Sequence, residues 1–147
     1  MADAVRELGV QAAVKWPNDV LVKGRRVAGV RTETWCCQGE PVDAVILGAD
    51  VNLNVPHEAL QTGLGEAGPF ATSVGEVLGR SIDRNAFTAR FLTHLEEWLV
   101  TYRTEGAPAV LAAWSDLDAL AGRWVEVRDG RASFEGRALG VDAAGYL

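Results

Sequence analysis

The sequence predicts an α+β fold built on a mainly antiparallel sheet, followed by a small β module. Three observations carry this. Between residues 10 and 55 apolar residues alternate with a period of two, interrupted by turns containing Gly or Pro. Between about 84 and 104, Phe87, Phe91, Leu95, Trp98 and Tyr102 recur at spacings of three and four, the mark of an amphipathic helix. From about 119 the period returns to two.

Taken in order, residues 3 to 8 read as the end of a helix closed by Gly9. A helix this short is marginal alone, so it either packs tightly or is the tail of a longer one. Val10 to Trp16 leads into the sheet, with Pro17 forcing Trp16 into an extended conformation. Val20 to Lys23 and Arg26 to Trp35 form a hairpin through the Gly24 turn. A second turn, Gln38-Gly39-Glu40-Pro41, opens a strand from Val42 to Val55, in which Ala44 to Leu47 is expected to be buried. At its end Asp50, Asn52 and Asn54 alternate with Val51, Leu53 and Val55, which places the three polar side chains on one face. Asn and Asp are poor strand formers, so that face is expected to serve something besides folding.

Residues 56 to 71 read as a Gly- and Pro-rich loop with one helical turn near Glu58 to Gln61. Loops of this length are often functional covers. Thr72 or Ser73 caps a short helix to Leu78, with Glu76 as capping-box acid. Asp83 caps the long helix, whose aromatic stripe is expected to be core. Pro108 suits the first turn of a further helix through Trp114. Trp124 to Val127, an Asp129-Gly130 turn and Ala132 to Gly136 make a last hairpin, and Arg137 to Val141 begins another strand. This divides the chain into residues 1–118 and an incomplete module over 119–147.

Composition narrows the function. The 147 residues are 48% hydrophobic and 23% charged, as in a soluble globular protein. No apolar run approaches the ~20 residues that span a bilayer, and MADAVRELGV lacks the basic flank of a secretory signal, so a cytoplasmic location is expected. A net charge of −6 argues against non-specific nucleic-acid binding. Cys36 and Cys37 are adjacent, which suits neither a disulfide nor, without a nearby His, a metal site. They read as reduced thiols, one packed inside.

Two polar clusters remain: Lys15 with Asn18-Asp19, and Asp50-Asn52-Asn54. A carboxamide presents donor and acceptor side by side, as an adenine edge requires. A Lys supplies charge for phosphate, and an Asp can hold the Mg²⁺ that accompanies nucleotides. The chain has no G-x-x-x-x-G-K-[ST], so this would not be a P-loop site. Spacing alone equally allows ordinary turn chemistry at Pro-Asn-Asp and a polar sheet edge that discourages aggregation.

The stretch K-W-P-N-D-V (15–20), followed by G-R-R-V-A-G-V (24–30) and Glu33, resembles the central motif of biotin protein ligases. G-A-D-V-N-L-N (48–54) is similar to that family's G-x-G-[IV]-N-V-N, and Ala71-Thr72-Ser73 and Asp83-Arg84 follow in the family's order. Residues 120–140 resemble the SH3-like domain that closes these enzymes. The resemblance implies part of a biotin ligase fold related to class II aminoacyl-tRNA synthetases, with a truncated SH3-like module. It implies ATP-dependent activation of biotin to biotinyl-AMP, then transfer to a lysine of a biotin carboxyl carrier domain, with biotin, ATP and Mg²⁺ as ligands. Lys15 and Arg26 are the implied catalytic cations, Lys15 facing the phosphates. Asn18 and Asn52 would contact the adenine edge, and Trp16 and Pro17 would shape the pocket. Ala28 and Gly29 join the binding set, Gly29 letting the biotinyl chain pass close to the backbone. The loop 55–71 would cover the adenylate, with Phe70 on adenine, while Asp19 would orient neighbours, help Mg²⁺ or serve only the turn. The metal ligands stay unknown.

Three departures matter. Arg26 stands where the family usually has Lys, and Asp50 where it usually has Gly, so Asp50 needs a cation, Arg26 or Mg²⁺. The family's upstream G-R-G-R-x-G-R loop is absent, and the chain starts within a long family helix and stops within the C-terminal domain. The expectation is therefore a ligase fragment, weakly active or inactive alone. A lipoate-ligase-like enzyme and a non-catalytic remnant or binding module are the rivals. The resemblance leaves a homodimer open, and no membrane or nucleic-acid partner is evident.

Overall fold

The computed structural model describes residues 1–35, 44–129 and 132–147. The chain starts with α1 (Ala2–Arg6) and then folds a four-stranded meander, β1 (Ala12–Lys15), β2 (Asp19–Val22), β3 (Arg25–Trp35) and β4 (Ala44–Val51). The strands lie in sequence order and every neighbouring pair is antiparallel. Next come α2 (His57–Leu64), a 3₁₀ segment (Gly65–Phe70), α3 (Val74–Leu78), α4 (Arg84–Glu105) and α5 (Ala107–Ser115). A separate two-stranded ribbon, β5 (Trp124–Asp129) and β6 (Ala132–Arg137), follows. The α+β class and mainly antiparallel sheet are as the sequence predicts.

Local chemistry sets the boundaries. Lys23 and Gly24 are consecutive left-handed residues, at φ 50° and 75°, the conformation that lets a two-residue turn match strand twist. Ser73 Oγ accepts the Glu76 amide and starts α3, and Asp83 Oδ1 accepts the Ala86 amide at 3.0 Å and starts α4. Gly79, left-handed, ends α3. The short α1 does pack tightly. Trp98 Nε1 of α4 donates to Asp3 Oδ2 at 2.9 Å, and Arg90 and His94 of α4 both reach Glu7. The Arg90 hydrogen bond holds the Glu7 carboxyl below the usual glutamate value, helped by His94 and opposed by desolvation. Val5, Val22, Val27 and Val74 are fully enclosed, with Ala4, Ile82 and Phe87 around them.

The structure corrects four expectations. Ala44 to Leu47 is not buried: Val45 and Ile46 are 59% and 56% exposed, because among the described residues no helix reaches that end of the sheet. Of the α4 stripe only Phe87 is buried; Phe91, Leu95 and Trp98 are half-buried and Tyr102 is exposed. The last sheet strand ends at Val51; the Asn52 amide makes its closing hydrogen bond to the Val27 carbonyl and Asn54 lies beyond the ladder, so the three polar residues do not line one strand face. The expected further strand over 137–141 does not form: Arg137 ends β6, and Ala138 exchanges backbone hydrogen bonds with Gly122 and Arg123. The loop 56–71 is also more helical than expected. Cys36, Cys37, the turn at 38–41, the strand start at Val42 and Gly130 lie outside the described residues.

Candidate active site

The site is assembled by strand register. Lys15 pairs with Asp19, Asp19 with Gly29, and Gly29 with Asp50. Directly paired residues of antiparallel strands share a face, so these four form one row across the sheet. The Trp16-Pro17-Asn18 corner, with a cis Trp16–Pro17 peptide, connects the first two positions. Its amide and carbonyl groups are tied in: the Asn18 carbonyl accepts the Val30 amide at 3.0 Å.

Arg26 lies across this row. A bulge between Val20 and Leu21 shifts the β2–β3 register, and Arg26 pairs with Leu21. Its guanidinium approaches Asp19 Oδ1 through Nε at 2.8 Å and Asp50 Oδ2 through Nη2 at 3.1 Å. The Nη2 contact is a hydrogen bond, whereas Nε, though at ion-pair distance, is buried and not aligned on an acceptor. A Cβ on Gly29 would overlap Nη2 and lie 3.3 Å from Asp50 Oδ1, so only glycine leaves room for this crossing. Lys15 is exposed and makes no ion pair among the described residues. The row therefore balances two cations against two carboxylates.

The covering segment is anchored to the same arginine. The Thr72 amide donates to the Arg26 carbonyl at 2.9 Å, and Ala71 forms an isolated bridge with Arg26. This holds Phe70, 70% exposed, next to the row at the end of the 3₁₀ segment. Asn52 Nδ2 is turned to the Thr72 carbonyl at 3.2 Å, so its amide nitrogen braces the cover. Asn54 is structural: Nδ2 and Oδ1 exchange hydrogen bonds with the Ile82 backbone, both at 2.8 Å. The Ala28 methyl is 1% exposed in the core beside Val20 and Val51, so only its backbone can meet a ligand. Trp16 Nε1 donates to the Gly145 carbonyl at 3.0 Å, joining the corner to the C-terminal tail.

A groove of about 870 Å³ lies on the helix side of the sheet, lined by Val14, Val20, Val30, Trp98 and Trp114 and bordered by Pro17, Asn18 and Asp19. The charged row points to the opposite face, so the two features share only the corner. Among the described residues no three His, Cys, Asp or Glu side chains cluster to hold a metal. The residues that sequence reasoning left outside the binding set are Asp50 and the Ala71-Thr72 anchor. The signal for Asp50 lay in the paired departures at 26 and 50; the anchor was marked only by the Ala71-Thr72-Ser73 resemblance, because a bridge between distant segments has no sequence period.

A sheet of this topology with a K-W-P-N-D corner and a glycine under a crossing cation defines a class, and the comparisons agree. Residues 1–52 match the biotin/lipoate A/B protein ligase family. Within that class the chain's relatives include biotin protein ligases. It is 30% identical over 139 residues to the bifunctional ligase/repressor BirA of Bacillus subtilis, covering 95% of this chain and 42% of that protein. It is 33% identical to the biotin–[acetyl-CoA-carboxylase] ligase of Paracoccus denitrificans, covering 92% of this chain and 55% of the other. The fold matches the biotin protein ligase of Aquifex aeolicus in complex with biotin and ATP, with a TM-score of 0.79, 23% identity, and coverage of 98% of this chain and 57% of that one. The chain thus spans about half the length of the relatives it matches.

Proposed function

We propose that this chain carries the adenylate-handling part of a biotin protein ligase, with biotin and ATP as substrates and a lysine of a biotin carboxyl carrier domain as acceptor. The observation that carries this is the Lys15–Asp19–Gly29–Asp50 row crossed by Arg26. In the first step a biotin carboxylate oxygen attacks the α-phosphorus of ATP, and the bond to pyrophosphate breaks. In the second the carrier amine attacks the acyl carbon of biotinyl-AMP and AMP leaves with the bonding electrons. Negative charge grows on phosphate oxygens in both steps, and Lys15 and Arg26 are the cations placed to stabilise it. Gly29 leaves the backbone open to close approach, and Phe70, beside Arg26, offers an aromatic face to the base. The remaining contribution is positioning, since the described site offers no covalent nucleophile.

Both carboxylates of the row are turned to Arg26, and the described residues make no cage for Mg²⁺. The metal enters this reading with ATP, as part of the substrate. Residues 119–147 are read as part of an SH3-like closing module, supported by their separate ribbon and the Trp16–Gly145 tie. A cytoplasmic setting fits the reaction's need for ATP.

The test is biotin-dependent exchange of pyrophosphate into ATP, followed by transfer to a carrier domain. It is run with the 147 residues alone and with the portion of a relative that they do not span supplied in trans. Lys15→Ala is expected to lower exchange by about 10²-fold. Lipoate supporting more exchange than biotin would move the protein to the lipoate side of the class. Failure to bind ATP under both conditions would leave a non-catalytic module.

A further inference from the structure

The two positions where the chain departs from the usual ligase pattern, Arg26 and Asp50, are partners in space. Asp50 is the outer partner, with its side chain 65% exposed, and Asp19 the inner one, at 27%. The Arg26 backbone is fixed on both sides, by Leu21 in β2 and by the Thr72 amide. Its side chain is 36% exposed. Two carboxylates hold the guanidinium: Asp19 Oδ1 lies 2.8 Å from Nε, and Asp50 Oδ2 accepts a 3.1 Å hydrogen bond from Nη2, the atom that lies over Gly29. The space above Gly29 is thereby occupied by Arg26 itself.

We propose that Asp50 is a positioning residue that stores Arg26 across Gly29 when the site is empty and yields it to an incoming phosphate. This rests on the ligase reading of the row. A guanidinium forks onto carboxylate and phosphate oxygens with the same geometry, so a phosphate can take the place of Asp50 on Nη2. The pair is solvent-exposed, and such pairs are weak enough to exchange. Asp50 therefore competes with the ligand for one cation. The groups facing that anion are Lys15 from β1, Asp19 from β2, Arg26 from β3 and Asp50 from β4. Removing Asp50 turns a balanced row into a cationic one. The Arg26 departure alone would leave the guanidinium paired only with Asp19; the Asp50 departure fixes Nη2 over Gly29.

The experiment uses the 147-residue chain with inorganic pyrophosphate and ATP as probes. It follows the Arg26 Nε–H resonance, assigned through Arg26→Lys, alongside calorimetric affinities. Asp50→Asn is expected to shift the Arg26 resonance in the free protein and to tighten pyrophosphate binding by roughly two- to fivefold. Saturating wild type with pyrophosphate is expected to move the same resonance. Glu33→Gln removes an equal charge from the neighbouring strand β3, opposite Ile46, and is expected to leave the Arg26 resonance in place. Gly29→Ala, whose added methyl meets only the flexible Arg26 tip and an exposed carboxylate, is expected to displace Arg26 without a large change in urea midpoint. Three results overturn the proposal: an Arg26 resonance that is the same in wild type and Asp50→Asn, a pyrophosphate affinity that Asp50→Asn leaves unchanged or Glu33→Gln raises as much, or no pyrophosphate binding by any variant. Loss of biotin-dependent exchange with the Arg26 result intact would overturn the ligase reading and leave the Asp50–Arg26 exchange standing.

Discussion

The two ends of the β3–β4 hairpin are made of similar residues and behave oppositely. At the inner end Val27 and Ala28 are 0% and 1% exposed, under α3 and the start of α4. At the outer end Trp35, Val45 and Ile46 are 65%, 59% and 56% exposed. Val27 and Val45 are the same residue type at the two ends, so burial here is decided by what lies across from the sheet. Apolar strands record a preference for cover; only a second layer grants it. The inner end is also where the charged row sits, so the reactive corner is carried by the best-supported part of the sheet.

This contrast can be broken in order of effect. Val27→Ala is expected to cost the most, about 2 kcal/mol, from lost transfer energy plus a small cavity. Urea denaturation followed by circular dichroism measures it, and a cost below that of an outer-end change would dismiss the contrast. Asn54→Ala comes next, at roughly 1–2 kcal/mol, because it strips the Ile82 backbone of both partners where the chain leaves β4. The same denaturation series reads it, and binding of pyrophosphate to the folded variant should be little changed, since Asn54 braces rather than faces the row.

The third test is acid. Glu7 has its folded pKa lowered, chiefly by the Arg90 hydrogen bond, so its contribution to stability is present above the usual value of 4.5 and is lost as pH falls through the folded value. Glu7→Gln should therefore be less stable than wild type above that value, and the gap in urea midpoint should close below it. A gap that stays constant would mean that the Glu7 charge does not help to hold the N-terminal segment against α4. The smallest effect is expected at the outer end. Ile46→Thr should change stability by no more than about 0.5 kcal/mol, as exposed substitutions do. A loss equal to that of Val27→Ala would show that something covers this face.

Much of this was legible in the residues, for physical reasons. The Gly24 turn is read from its dipeptide, because two left-handed residues in a row need a residue such as glycine. Ser73 and Asp83 announce their helices because an N-cap is a local hydrogen bond. The K-W-P-N-D corner was legible as a family motif because its residues are contiguous, whereas its spacing alone also allowed ordinary turn chemistry. What misled was anything depending on a distant partner. Asp50, Asn52 and Asn54 alternate like a strand face, but the Val74 amide bonds the Asn52 carbonyl and Ile82 captures Asn54, and these contacts pull the chain out of the ladder. The aromatic stripe of α4 has the right period, yet a helix buries only as much of its face as its neighbours meet.

The sequence by itself determined the strand and helix succession, the hairpin corner and the identity of the two cations, since each depends on a few consecutive residues or one repeating period. Tertiary structure alone decided that Lys15, Asp19, Gly29 and Asp50 fall in one row, that Arg26 crosses it over a glycine, and that Thr72 fastens the cover beside it. Register joins residues as far apart as 15 and 50, and no local preference along the chain encodes which of them will stand opposite one another.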